Sequence, residues 1–140
     1  MNKIYIQGTF GAYSHLAALE IENNAEIVPC KTFDECFLKT LSDDGSRMVI
    51  PESNRITGNI GIEYLIFKYR LNIYAEHFQK IEHNLLGQQK SDLKDIKDVF
   101  SHTQGLSQCS DFIKENNFIE HVRADTAGSA EAISKKKIKS

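Results

Sequence analysis

Lys3-Ile4-Tyr5-Ile6-Gln7-Gly8-Thr9-Phe10-Gly11-Ala12-Tyr13 reads as a strand, a two-glycine turn and the start of a helix. Lys3 to Gln7 alternates with β-branched and aromatic residues, the period of an extended strand. From Tyr13 to Glu22 the pattern turns helical, with Leu16, Leu19 and Ile21 among good helix formers and Ser14 near the start. Glu26 to Pro29 reads as a second strand. Thr32 then caps a helix, with Glu35 at the capping-box position and Phe33, Phe37 and Leu41 as its buried stripe. Asp43-Asp44-Gly45 breaks that helix, and Arg47 to Ile50 is a strand ended by Pro51. A β-α-β-α-β run with short connections predicts a parallel sheet flanked by helices.

Further along, Glu52 to Thr57 is polar and irregular, and Asn59 to Tyr69 is helical with Ile62, Leu65 and Ile66 on one face. Leu71 to Leu86 alternates over a long stretch, as extended chain crossing from one lobe to another would. Ser91 to Asp95 reads as a short capped helix. Strand Lys97 to Phe100, a helix to about Asn116, strand Ile119 to Arg123 and a helix from Thr126 complete the pattern.

The chain has 140 residues, 41% hydrophobic and 26% charged, with a net charge of −2. This is the composition of a globular protein and offers no basic surface for nucleic acid. The basic run Lys135-Lys136-Lys137 with Lys139 reads as a solvated tail. No apolar run approaches the roughly 20 residues that span a bilayer, and Met1 leads directly into a strand pattern without a signal-peptide core. A cytoplasmic protein is expected. Cys30, Cys36 and Cys109 are odd in number and lack Cys-x-x-Cys spacing, so they read as reduced thiols, with Cys30 and Cys36 in the core.

Polar segments follow the strands at comparable places: Gly8 to Ser14, Pro51 to Gly58, Ser101 to Gln108 and Asp125 to Ser129. Open α/β sheets bind ligands beyond the carboxyl ends of their strands. Four such loops shared between two halves predict a cleft between two lobes. Helices starting near Thr103 and at Thr126 would turn free N–H groups toward it, favouring an anion such as a carboxylate.

These segments resemble the prephenate dehydratase family over nearly the whole chain, from Lys3 to about Ala132. Gln7 to Ala17 resembles its opening glycine-rich loop and first helix. Pro51-Glu52-Ser53-Asn54-Arg55-Ile56-Thr57-Gly58 resembles its Pro-Ile-Glu-Asn-Ser-x-x-Gly loop, and Glu76-His77-Phe78 with Ile81-Glu82-His83-Asn84-Leu85-Leu86 its crossover strand. Ser101-His102-Thr103-Gln104 with Gln108-Cys109 resembles Ser-His-Pro-Gln…Gln-Cys, and Asp125 to Ala130 the Ser/Asp-Thr-x-x-Ala segment. The resemblance implies two small α/β lobes, residues 1–75 and 76–140, around a cleft, like a periplasmic binding protein. It implies loss of carbon dioxide and water from prephenate to give phenylpyruvate, with no metal or cofactor, in a homodimer. Asn54, Ser101 and Gln108 match active-site positions, and Thr9, His102, Gln104 and Thr126 are candidates to line the substrate site.

Two departures stand out. The family's Thr-Arg-Phe motif and its regulatory domain have no counterpart up to Ser140. The second lobe is therefore expected to be incomplete, with exposed strand edges and unburied apolar faces. A non-catalytic remnant that binds an aromatic carboxylate is the alternative to an enzyme. In the Pro51 loop, Glu52, Ser53 and Arg55 replace isoleucine, glutamate and serine, and Arg55 is expected to face solvent. A nucleophilic triad of Ser101, His102 and Cys109 is disfavoured, because adjacent turn residues diverge. His15, His77, His83 and His121 lack metal-ligand spacing and are expected to be structural or on the surface. Gly8 to Gly11 lacks the lysine and glycine spacing of a phosphate loop.

Overall fold

In the computed structural model, which describes residues 2–56 and 58–135, the alternation at the N-terminus becomes a central strand. β1 (Lys3–Gln7) lies between β2 (Glu26–Cys30) and β3 (Arg47–Val49), in the order β2-β1-β3. Both pairings are parallel, with Ile4 opposite Ile27 on one side and Arg47 on the other. Successive β1 side chains point to opposite faces, so Ile4, Tyr5 and Ile6 serve two cores. Ile4 and Ile6 pack with Ala18 of α1 (Tyr13–Ile21), Ala25, Ile27 and Val49. Tyr5 packs on the other face with Cys30 and with Cys36 of α2 (Phe33–Ser42). The chain therefore switches sides at β1. The Gly8–Gly11 turn and the Pro51 loop follow β1 and β3, the neighbouring strands at that switch, where open α/β sheets hold their ligands. Gly8 makes the turn possible: its φ of +111° is one that side chains rarely adopt, and its N–H donates to the Cys30 carbonyl at 2.9 Å.

Several local expectations need correction. Thr32 Oγ1 accepts from the Glu35 N–H, but the Glu35 carboxylate accepts from the N–H of Lys31 rather than of Thr32. The α2 stripe is Cys36 and Phe37. Leu41 is 48% exposed, because the helix packs along its Cys36–Phe37 side. The Pro51 segment is not wholly irregular: β4 (Ser53–Asn54) pairs antiparallel with β5 (Gly58–Asn59). That hairpin and the positive φ of Gly61 delay α3 to Glu63–Tyr69, with Ile62 and Leu65 buried as expected. Residues 71–88 form neither helix nor strand.

The chain divides into two compact units, 1–80 and 81–140. In the second, Asp92 and Asp95 cap a single 3-10 turn over Leu93–Asp95. β6 (Asp98–Ser101) and β7 (Ile119–Val122) pair in parallel, with Phe100 opposite His121. Between them the predicted helix is two, α4 (Thr103–Gln108) and α5 (Ser110–Glu115), separated at Cys109. Val99, Leu106, Ile113 and Phe118 form the core. On β6 and β7, the His121 ring stacks on Phe100 with centroids 4.6 Å apart, and its Nε2 lies 2.7 Å from Asp98 Oδ1. α6 (Thr126–Ser134) follows β7 and packs against β6. Of the predicted lysine tail, Lys136, Lys137 and Lys139 lie outside the described residues, as does Thr57.

Candidate active site

Ser101 is the last residue of β6 and Thr126 the first of α6. The pairing of β6 with β7 sets the two chain ends side by side. The two side chains meet with Ser101 Oγ 2.9 Å from Thr126 Oγ1. A hydroxyl has one proton and two lone pairs. In such a pair one proton is spent on the partner and the other remains available to a ligand.

Gly105 makes room for this contact. A Cβ there would lie 2.7 Å from Ser101 Oγ and 3.6 Å from Thr126 Oγ1. Sequence reasoning did not single it out. The available signal was energetic: a glycine inside a helix costs about 1 kcal/mol relative to alanine and needs a packing reason. One turn on, Gln108 is half-buried, and its Oε1 lies 2.7 Å from Nε2 of His83. His83, read from sequence as structural or superficial, therefore touches a candidate site residue.

Ser101 and His102 diverge. His102 caps α4 and its Nδ1 accepts from the Gln104 N–H at 3.3 Å. No serine–histidine hydrogen bond forms among the described residues. Gln104 is exposed. Cys109 packs against the core, and burial pushes its thiol pKa up, which leaves it protonated and a poor nucleophile. The start of α6 is not open to an anion as expected, because the Asp125 side chain already accepts from the Gly128 N–H. Negative charge occupies the position at which a helix N-terminus would hold a ligand.

In the first unit, Thr9 sits in the glycine turn, where its carbonyl accepts from the Ala12 N–H at 3.1 Å. His15 folds back over the same turn, its Nδ1 accepting from the Gly11 N–H at 3.1 Å. Asn54 is half-buried on β4, and its Oδ1 accepts from the Ile56 N–H at 2.9 Å. That bond is a turn residue's own local contact. Among the described residues its amide nitrogen has no partner. Arg55 is exposed, as expected. A cavity of about 420 Å³ opens beyond β1 and β2, between Gln7, Thr32, Phe33, Ile62 and Leu65, but Thr9 and Asn54 do not line it. Among the described residues no cluster of three His, Cys, Asp or Glu side chains is arranged to hold a metal ion.

A family model described as prephenate dehydratase matches residues 4–140. Arogenate dehydratase 2 of Petunia hybrida is 35% identical over 138 residues, covering 98% of this chain and 35% of the relative. Among solved structures, a quorum-quenching acylase superposes with a TM-score of 0.80 at 32% identity, covering 94% of this chain and 49% of that one. The prephenate dehydratase of Staphylococcus aureus superposes with a TM-score of 0.68 at 25% identity, covering 94% and 51%. The chain spans about a third of the length of the curated relatives it matches. With a family model matched over nearly every residue and the α/β fold of solved members, the chain belongs to the prephenate dehydratase family.

Proposed function

We propose that this chain carries dehydratase chemistry on prephenate, with arogenate as the closest alternative substrate. The ring carboxylate leaves as carbon dioxide, and its bonding electrons move into the ring. The C–O bond at the opposite carbon breaks, and the departing hydroxide takes a proton to leave as water. Aromatisation drives the reaction, so the protein must hold two carboxylates and supply a hydrogen bond or proton to the leaving oxygen.

The observation that carries this reading is the Ser101–Thr126 hydroxyl pair, 2.9 Å apart beyond the end of β6. Its free proton suits a leaving hydroxyl or a carboxylate, and among the described residues neither member is hydrogen-bonded to a histidine that would make it a nucleophile. Gln108 offers an amide that binds a carboxylate without adding charge. We assign Asn54, Ser101 and Gln108 the catalytic positions, and Thr9, His102, Gln104 and Thr126 the lining, with residues 1–75 and 76–140 as the two lobes. The reading includes a cytoplasmic homodimer.

Phenylpyruvate formation from prephenate near neutral pH tests it, with Ser101→Ala and Gln108→Ala beside the unchanged chain. Turnover that both substitutions reduce at least tenfold, the scale of a lost hydrogen bond to a developing charge, is the expected result. Turnover indifferent to both removes the assignment of the site. No turnover above background leaves the chain a binding role only.

A further inference from the structure

We infer that His83 is a positioning residue that aims the Gln108 amide, an inference that rests on the dehydratase reading for its functional meaning. His83 Nε2 lies 2.7 Å from Gln108 Oε1. An amide oxygen carries no proton, so the imidazole N–H donates and the amide oxygen accepts. Both residues belong to the second unit. Gln108 ends α4, and its neighbour Leu106 anchors that helix in the core. His83 sits on the segment 71–88, which has no regular structure.

The consequence is directional. A glutamine amide has an acceptor end and a donor end, and free rotation about its last bond presents either. Once His83 holds the oxygen, the NH2 group must face away from the ring. Among the described residues that NH2 group has no partner. A donor held in one orientation suits a carboxylate or a departing hydroxide, whereas a free amide must be ordered about all its side-chain torsions each time an anion binds. His83 is exposed, and the bond contributes little to holding the fold. Its value lies in orientation.

The test uses two replacements in the 140-residue chain. His83→Phe keeps a ring and removes the donor. His83→Gln returns an N–H near the Nε2 position. The first readout is the side-chain amide resonance of Gln108, identified by its loss in Gln108→Ala. The second is kcat and KM for phenylpyruvate formation. His83→Phe is expected to shift the Gln108 amide pair and lower kcat/KM roughly five- to tenfold, the scale of one neutral hydrogen bond. Its melting midpoint should stay within about a degree of the parent. Adding His83→Phe to Gln108→Ala should cost nothing further, and His83→Gln should restore both signals. A Gln108 amide unmoved by His83→Phe, or losses that add in the double variant, overturns the inference. Absence of turnover in the unchanged chain sinks the dehydratase reading instead, and the amide spectrum still decides whether His83 holds Gln108.

Discussion

Gly105 shows how one missing methyl group governs the candidate site. Gly105→Ala removes the conformational cost of a helical glycine, about 1 kcal/mol, and brings a Cβ to 2.7 Å from Ser101 Oγ. The atom it meets is a rotatable hydroxyl rather than backbone, so relief is cheap: Ser101 swings to another rotamer. That rotation breaks the 2.9 Å contact with Thr126. The expected outcome is a stability change within about 1 kcal/mol and a loss of turnover approaching that of Ser101→Ala. Thermal melting and phenylpyruvate formation measured on one preparation check it. Activity retained in Gly105→Ala would mean that the hydroxyl pair is not required. Gly128 presents the same logic on α6, where a Cβ would lie 2.8 Å from Asp125 Oδ2 and disturb the cap.

A second residue-scale prediction concerns Asp43. Its carboxylate accepts from Lys3 Nζ at 2.9 Å and from the Tyr5 hydroxyl at 2.8 Å, tying the end of α2 to β1. The lysine first, and the phenol second, hold its pKa below the ordinary carboxylate value. A carboxyl with a depressed folded-state pKa contributes stability above its unfolded pKa, about 3.9, and loses it as pH falls through the folded value. Asp43→Asn should therefore melt lower than the parent at pH 7, and the gap should close as the pH falls well below 3.9. An unchanged gap at pH 2.5 would show that the pair does not titrate with folding.

At the scale of elements, the regular part of the fold was legible because burial and periodicity agreed. Ile4-Tyr5-Ile6 is apolar on both faces, as a central parallel strand must be, and β1 runs over the predicted residues, Lys3–Gln7. α2 announced itself through Thr32, whose hydroxyl caps it. What stayed hidden depends on contacts that sequence does not order. The β4–β5 hairpin has two residues per strand, too short for any alternation to register. The break at Cys109 interrupts a helical pattern without a proline or glycine at that position. Leu41 fits the helical stripe by spacing and is exposed all the same, because packing chose the neighbouring stripe. The site divided in the same way. Ser101, Gln108 and Asn54 stood out through the resemblance of their segments. The contact of Ser101 with Thr126 spans 25 positions, as does that of His83 with Gln108. Each arises only when elements are assembled, so no local spacing foretells it.

At the scale of the molecule, the buried apolar clusters formed by the described residues each belong to one unit. Ile4, Ile6 and Ala18, and separately Tyr5, Cys30 and Cys36, belong to residues 1–80. Val99, Leu106, Ile113 and Phe118 belong to residues 81–140. Cys36 illustrates how dry the first core is: burial, and then its contact with Cys30, pushes its thiol pKa up, so it behaves as a small apolar residue. Large apolar side chains also remain in solvent. Phe67 is 87% exposed and Phe78 86%, with Ile73 and Tyr74 between them near 70%. Units of this size bury a modest fraction of their surface and are individually marginal. Cores that share no residues give each unit its own stability, and a protein built this way departs from two-state behaviour. Phe37→Ala tests it. Phe37 is fully buried against Tyr69, with ring centroids 5.5 Å apart, and its truncation costs about 3–5 kcal/mol. Hydrogen exchange should then show lost protection at the amides of β1, β2 and α2. Those of Val99, Phe100 and Ile113 should hold their parent rates. Equal loss of protection in both sets would mean that the two cores unfold as one.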